Sequence, residues 1–226
     1  GSNIKPFLYS FAMDKNFTLA TIINDVPITQ WDRSQGAAWR PKNSPPIYNG
    51  PTRLRLGLSQ SKNVMSVKLI QKLGIRNSIN HMTKFGFQKD DLPIGESLAL
   101  GSASVTPLEA ATAYATFANG GFLVTPYFIE HITDSTQSVV EVAKPRIACH
   151  ACENGTTQIV DEFSPLENIE LSQQCMTDAA QLAPRVISSQ NAFLVKEMLR
   201  SVITGGGNWS KKTGWSGTGW RIANTI

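Results

Sequence analysis

Ser2 and Lys5 form a Ser-x-x-Lys pair at the predicted start of a helix. Apolar residues at helical spacing predict that this helix runs to about Lys15. Pro6 fixes where the helix begins, because proline lacks the N–H that an interior helical turn uses. Residues three apart on one turn share a face, so the hydroxyl and the amine can meet. A lysine whose pKa is lowered by burial can act as a base toward a serine nucleophile, and the pair therefore predicts acyl-transfer chemistry.

Two simpler interpretations of this pair stay open. Gly-Ser at a chain start is a common remnant of cloning. Ser-x-x-Lys also occurs by chance in ordinary amphipathic helices. Other motifs in the chain must therefore decide whether the pair is functional.

A second polar group, Ser61-Lys62-Asn63, lies in a predicted tight connection between two helices. The helix before it is predicted to begin at Pro51, and the helix after it runs from Val64 to a C-cap at Gly74. Serine and asparagine also commonly cap helices, which is the alternative to a chemical role for this group.

The rest of the chain predicts a mixture of helices and short strands. The expected elements are an extended run within 18–28, a proline-rich loop over 31–48, a helix over about 78–85, a helix from the Thr106 capping box to Ala118, a β-hairpin of 124–132 with 138–142, and a helix from about Ser189 to Val202. We expect residues 96–104, which are rich in small side chains, to serve packing. Periodicity is lost from 144 to about 188, which predicts an irregular insertion.

The composition suits one globular core, because 41% of the 226 residues are apolar and 17% are charged. The net charge of +4 is spread along the chain in runs of no more than two lysines or arginines, so no nucleic-acid partner is expected. No continuous apolar run of about 18 residues predicts a membrane span. No signal peptide is recognised either, so we expect a cytosolic protein or an internal piece of a longer, exported chain.

The three cysteines leave several interpretations open. Cys149 and Cys152 form a Cys-x-x-Cys that suits a metal half-site, a redox pair or a short-loop disulfide. A zinc site would need His150 and the distant Cys175 to complete four ligands. In an exported chain, a Cys149–Cys152 disulfide with Cys175 left over is the leading expectation. We expect no cofactor and no functional metal.

The ordered motifs resemble the transpeptidase domain of class A penicillin-binding proteins over most of the chain. Ser2-x-x-Lys5 is similar to the first motif of that family, and Ser61-x-Asn63 to its second. Further matches are Pro41-x-Asn43, Tyr48-x-Gly50-Pro51, Leu54-Arg55, Leu100-Gly101, Thr106-Pro107 and Asn119-Gly120-Gly121. The resemblance implies an α+β, β-lactamase/transpeptidase-like (DD-peptidase) fold, of which this chain holds mainly the helical part, a β-hairpin and the insertion at about 144–188.

The third motif of the family, Lys-Thr-Gly followed by Thr or Ser, is not found in its expected form. Lys212-Thr213-Gly214 is followed by Trp215 and lies among glycines rather than strand-forming residues. In the family, a Gly-Thr-Gly like residues 217–219 precedes the true motif. We therefore expect the true motif beyond Ile226, the strands that precede the serine before Gly1, and an inactive isolated chain.

The resemblance implies a peptidoglycan D,D-transpeptidase that cross-links stem peptides through a serine acyl-enzyme and is acylated by β-lactam antibiotics. It assigns Ser2 as the nucleophile, with its backbone N–H as an oxyanion donor, and Lys5 as the base. Ser61 would relay a proton to the leaving amine, and Asn63 would bind the substrate amide and hold Lys5, so both are substrate-binding residues.

The resemblance also implies a place in the cell. It predicts the periplasmic face of the inner membrane, an N-terminal membrane anchor outside this chain, a preceding glycosyltransferase module, and cell-wall synthesis proteins as partners.

Two alternatives to the transpeptidase stay open. One is a non-catalytic scaffold that binds peptidoglycan or partner proteins through the insertion and the tryptophan-rich tail. The other is a D,D-carboxypeptidase or β-lactamase. The match from Pro41 to Asn63 favours the class A family.

Overall fold

The computed structural model describes residues 1–32, 37–149 and 182–204, with the side chains of 30–32, 37 and 38 left aside. Within these ranges the helices are α1 (Lys5–Asp14), α2 (Leu54–Ser59), α3 (Asn63–Leu73), α4 (Ile75–Thr83), α5 (Pro107–Ala118) and α6 (Ser189–Thr204). Three short 3-10 helices span Ser2–Ile4, Lys89–Asp91 and Glu96–Leu100. The strands are β1 (Ile22–Asp25), β2 (Gln30–Asp32), β3 (Ala37–Trp39), β4 (Gly50–Arg53), β5 (His131–Thr133) and β6 (Val139–Val142).

Helix α1 forms the centre of the core. Every residue from Lys5 to Met13 is buried, as expected for a helix surrounded by protein on all sides. It packs against α3, α4 and α6. The Phe7 ring of α1 lies 4.9 to 5.3 Å, centroid to centroid, from four other aromatic rings, those of Phe85, Phe87, Tyr114 and Phe117. The helix that follows Ser2 is therefore held from several directions.

Several predicted elements are confirmed. Helix α5 begins and ends at the predicted residues, and Thr106 and Glu109 form the expected capping box. Helix α3 ends at Gly74, whose φ of +83° lies in the region that glycine tolerates best. Strands β5 and β6 pair as the expected antiparallel hairpin, although β5 covers only His131–Thr133 and not the predicted 124–132. These elements share strong local signals in their sequence.

Other predictions differ from the structure. Residues 51–53 lie in β4, which pairs antiparallel with β1, and helix α2 begins only at Leu54. Strand β4 has one strand neighbour in the described sheet, so it is an edge strand there. Pro51 is tolerated because an edge strand does not need every N–H for pairing. The predicted loop over 31–48 includes the antiparallel pair β2–β3. Helix α4 begins at Ile75, directly after the Gly74 cap, rather than near Ser78.

The described residues form three sheets, β1–β4, β2–β3 and β5–β6, and each is two-stranded and antiparallel. None of the described helices is long and apolar enough to cross a bilayer. Most of the predicted insertion, and the stretches around Lys212 and the C-terminal tryptophans, lie outside the described residues.

Candidate active site

The first two site residues lie on either side of a change in helix type. Ser2 begins the 3-10 helix Ser2–Ile4 and is exposed, whereas Lys5 begins α1 and is only 1% exposed. Pro6 lies in the first turn of α1, where its missing N–H leaves no helical bond unmade. The sequence therefore presents a hydroxyl at the surface and an amine in the interior on consecutive turns.

The second pair lies in the short connection between α2 and α3. Ser61 has a φ of +52°, in a left-handed region that residues other than glycine rarely adopt. Two backbone bonds define this turn: Ser61 N–H donates to the Leu58 carbonyl at 2.9 Å, and Lys62 N–H to the Gly57 carbonyl at 2.8 Å. The turn directs the Ser61 carbonyl and hydroxyl toward α1.

All four predicted site residues are brought together. Lys5 Nζ lies 2.8 Å from the Ser61 carbonyl oxygen, 3.0 Å from Ser61 Oγ and 2.7 Å from Asn63 Oδ1. Ser61 Oγ donates to Ser2 Oγ at 3.0 Å. A continuous hydrogen-bonded route thus connects Ser2 to Lys5 through Ser61.

Burial lowers the pKa of the Lys5 amine from 10.5 to about 8, because the charged form is deprived of water. The three acceptors around Nζ are uncharged. With a pKa near 8, about a tenth of the amine is neutral at pH 7. A usable fraction of Lys5 is therefore neutral and able to accept a proton.

The hydrogens on the neutral Lys5 amine determine the direction in which a proton can move. A neutral amine keeps two N–H groups and one lone pair. The Ser61 carbonyl and Asn63 Oδ1 can only accept, so they take the two N–H groups. The lone pair is left to face Ser61 Oγ, the one neighbour of the three that can donate. In this state the Ser61 hydrogen turns from Ser2 Oγ to Lys5 Nζ, and Ser2 Oγ donates to Ser61 Oγ. The arrangement can accordingly draw a proton from Ser2 by way of Ser61, whereas the sequence predicted direct contact between Ser2 and Lys5.

The capping interpretation of Ser61 and Asn63 is wrong, because another residue caps α3. Asn43 Oδ1 accepts from the Val64 N–H at 3.1 Å, at the start of this helix. The Asn63 amide instead accepts from Lys5 and donates from Nδ2 to the Lys42 carbonyl at 2.8 Å. The sequence pointed to Asn43 only through the Pro41-x-Asn43 match to the family and did not predict that it caps α3.

Two contacts that the sequence did not predict hold the backbone around Ser2. The Gly1 nitrogen donates to the Gly101 carbonyl at 2.7 Å, and the Tyr114 hydroxyl donates to the Asn3 carbonyl at 2.9 Å. Gly101 has a φ of +86°, and a Cβ added there would lie 1.8 Å from the Gly1 carbonyl oxygen. The segment 96–104 therefore supports the site as well as the packing.

The cysteines provide no metal centre within the described ranges. Cys149 is disulfide-bonded, so its sulfur is not a free thiolate for zinc, and its partner lies outside the described residues. In 1–32, 37–149 and 182–204, no three His, Cys, Asp or Glu side chains are grouped to hold a metal ion. His150, Cys152 and Cys175 lie outside those ranges.

Comparison with known proteins gives the same family over almost the entire chain. The family described as "Penicillin binding protein transpeptidase domain" matches residues 1–223. Penicillin-binding protein 1A of Vibrio cholerae is 49% identical over 98% of this chain and 25% of its own length. Penicillin-binding protein 1A of Escherichia coli K12 is 44% identical over 100% of this chain and 29% of its own length. The chain thus spans between a quarter and a third of these curated relatives.

Solved structures share the fold. Penicillin-binding protein 1A from Haemophilus influenzae superposes with a TM-score of 0.81 at 43% identity, covering 100% of this chain and 32% of that one. Penicillin-binding protein A from Mycobacterium tuberculosis has a TM-score of 0.65 at 18% identity, covering 93% of this chain and 45% of that one. At that identity the second likeness shows the fold alone.

Proposed function

Because the chain belongs to the penicillin-binding protein transpeptidase family, we propose that it carries the nucleophile of a peptidoglycan D,D-transpeptidase. One observation supports this most strongly: a buried lysine with a lowered pKa connects through Ser61 to the exposed hydroxyl of Ser2. An amine that is neutral part of the time and hydrogen-bonded toward a serine suits nucleophilic catalysis.

In the acylation step, Ser2 Oγ attacks the carbonyl carbon between the last two D-alanines of a stem peptide. As the O–C bond forms, the Ser2 proton passes to Ser61 Oγ, and the Ser61 proton passes to Lys5 Nζ. The Ser2 backbone N–H stabilises the resulting oxyanion as one of its donors. Asn63 holds Lys5 through Oδ1, and its Nδ2, which gives one hydrogen to the Lys42 carbonyl, offers the second hydrogen to the substrate.

The intermediate then collapses and breaks the carbon–nitrogen bond. The departing D-alanine nitrogen takes a proton from the Ser61 hydroxyl. Lys5 then gives its extra proton to Ser61, so the Lys5 amine returns to its neutral form. The acyl group stays on Ser2 as an ester. A general acid–base of this kind contributes about 10²- to 10⁴-fold to the rate.

Transfer to the acceptor reverses these movements. An amine of a neighbouring stem peptide attacks the ester carbonyl and gives its proton to the same Ser61–Lys5 route. Ser2 Oγ leaves with that proton and the peptide cross-link is complete. β-Lactams present a similar carbonyl, so we propose that they acylate the same serine.

We propose that the protein works at the periplasmic face of the inner membrane with other cell-wall synthesis proteins. The disulfide at Cys149 supports an oxidising compartment, because disulfides persist outside the cytosol and are rare within it.

The test is the intact mass of the full-length protein with and without benzylpenicillin, followed by peptide mapping. We expect one adduct on the peptide that contains Ser2, with none in Ser2→Ala. The matched control is Ser135→Ala, which removes an exposed serine in the connection between β5 and β6 and should leave the adduct intact. Prompt hydrolysis of the adduct by water would indicate a carboxypeptidase or β-lactamase. A folded protein that forms no adduct would contradict the enzyme hypothesis and favour the non-catalytic scaffold.

A further inference from the structure

A buried ion pair lies directly behind the second motif. Lys62 Nζ is 3.1 Å from Asp25 Oδ2, and the two side chains are 7% and 0% exposed. Lys62 is the residue between Ser61 and Asn63, and Asp25 ends strand β1. The middle residue of the motif, whose side chain points away from Lys5, is thus fixed to a separate part of the fold.

Every polar atom of this pair has further partners. Asp25 Oδ1 accepts from Asn43 Nδ2 at 2.8 Å, and Oδ2 accepts from the Asn49 backbone N–H at 3.1 Å. Lys62 Nζ also donates to the Ile47 carbonyl at 2.8 Å. Buried charges persist when they are paired and fully hydrogen-bonded, but such pairs add little net stability compared with apolar residues. Stability alone is therefore a poor account of this network.

The network fixes the middle residue of the motif and the residue that follows the motif. Lys62 ties the residue after Ser61 to Asp25. Asn43 ties the same carboxylate to the Val64 N–H, just beyond Asn63. Asn63 lies between these two ties, and Ser61, directly before Lys62, keeps a left-handed conformation that persists only where the surroundings enforce it.

We propose that Asp25, Lys62 and Asn43 are positioning residues for acyl transfer. They hold the Ser61 carbonyl, the Ser61 hydroxyl and Asn63 Oδ1 at hydrogen-bonding distance from Lys5. This inference rests on the proposed function, because it assigns the network to the reaction at Ser2. None of the three contacts the reacting atoms; they act through the connection 61–63.

The chain offers a matched control in Lys68. It lies on the same helix as Asn63, and its Nζ donates to the carbonyls of Asn24 and Val26 at 2.7 and 3.4 Å, on either side of Asp25. Lys68→Met thus removes a lysine that also joins α3 to the β1 region, but leaves the connection 61–63 untouched. Its effect measures what a merely structural tie contributes.

The experiment measures the first-order rate of Ser2 acylation at saturating benzylpenicillin in the full-length protein. The variants are Lys62→Met, Lys68→Met and the double variant Asp25→Asn, Lys62→Met, each assayed well below its unfolding temperature. A displacement of about 1 Å in an active site can cost about 100-fold. We expect Lys62→Met to lower the rate by about 10- to 100-fold and Lys68→Met to change it by less than about twofold.

The double variant separates positioning from stability. Lys62→Met alone leaves a buried carboxylate without its cation, and Asp25→Asn removes that charge, so the thermal midpoint should partly recover. We expect acylation to stay slow in the double variant, because the anchor of Ser61 is still missing. Recovery of the rate together with the midpoint, or an unchanged rate in Lys62→Met, would overturn the inference.

Two further outcomes are also decisive. If Lys62→Met does not fold, Asn43→Ala tests the other tie of the motif, and a rate like that of the unaltered protein would refute the network. If the unaltered protein forms no adduct on Ser2, the proposed function fails instead. The two failures are therefore distinguishable.

Discussion

Gly101→Ala perturbs the backbone of Ser2 without altering any of the four site side chains. The added Cβ would lie 1.8 Å from the Gly1 carbonyl oxygen, 2.2 Å from its carbonyl carbon and 2.4 Å from its nitrogen. All three are backbone atoms, so no side-chain rotation can relieve the clash. The neighbouring residue, Ser2, must move with them.

The magnitude follows from these distances. Real Cβ atoms essentially never come closer than 3.0 Å to another heavy atom, so the Gly1 carbonyl oxygen must retreat by about 1.2 Å. The bond from the Gly1 nitrogen to the Gly101 carbonyl is lost or stretched in the process. A misplacement of about 1 Å costs about 100-fold in rate. Alanine at a left-handed φ adds about 1–2 kcal/mol of destabilisation.

The assay is the rate of Ser2 acylation by a fluorescent penicillin in the full-length protein, paired with thermal unfolding. Gly95→Ala is the matched control, because Gly95 lies directly before this segment in an extended conformation. A Cβ there would meet only Ser97 Oγ, at an ordinary 3.6 Å. We expect Gly101→Ala to acylate about 100-fold more slowly and Gly95→Ala to match the unaltered protein.

Equal acylation rates for the two glycine variants would refute this argument. They would mean that the 96–104 segment yields to the new methyl group and that Ser2 keeps its position without it. A lower melting temperature for Gly101→Ala with an unchanged rate would limit the role of this glycine to stability.

Two predictions concern pH. Acylation of Ser2 should rise with pH and reach half its plateau near pH 8, because the base is the neutral form of Lys5 and burial lowers its pKa to about 8; a rate that is flat between pH 6 and 9 would exclude Lys5 as the base. Burial lowers the pKa of His81 from 6.5 to about 4, so the unfolded chain binds a proton between those values and the native protein does not. Unfolding free energy should therefore fall by up to about 3 kcal/mol as the pH drops from 6.5 to 4, and this slope should flatten in His81→Gln but persist in His131→Gln, which alters an exposed histidine.

The fold was predictable from the sequence where its signals are local. The capping box of α5 lies within four consecutive residues, Thr106 to Glu109, and the C-cap of α3 needs only Gly74. Strand β4 shows the opposite case. Residues 51–53 continue the pattern of α2, and their pairing with β1 depends on a segment more than twenty residues earlier. Local propensity cannot show which distant segment will pair with residues 51–53 to form a sheet.

The four residues of the proposed site could be named from the sequence, but the residues that support them could not. Ser2, Lys5, Ser61 and Asn63 stand in recognisable motifs, whereas the contacts that hold them join distant positions. The bond from Asn43 to Val64 spans 21 residues, and the bond from Gly1 to Gly101 spans 100. A sequence motif names the side chains that meet a substrate, and the fold decides which others keep them in place.

The three lysines of this region show why residue type alone could not assign roles. Lys5 is buried among three uncharged acceptors, so it faces no charge that would fix its proton in place. Lys62 is also buried but faces the Asp25 carboxylate, which suits an anchor rather than a base. Lys68 is half-buried and bonds two backbone carbonyls near the protein surface. The surroundings of the nitrogen suit the three lysines to different roles, those of base, anchor and surface tie. Kinetics of the Lys62 and Lys68 variants can therefore separate proposed roles that the sequence leaves identical.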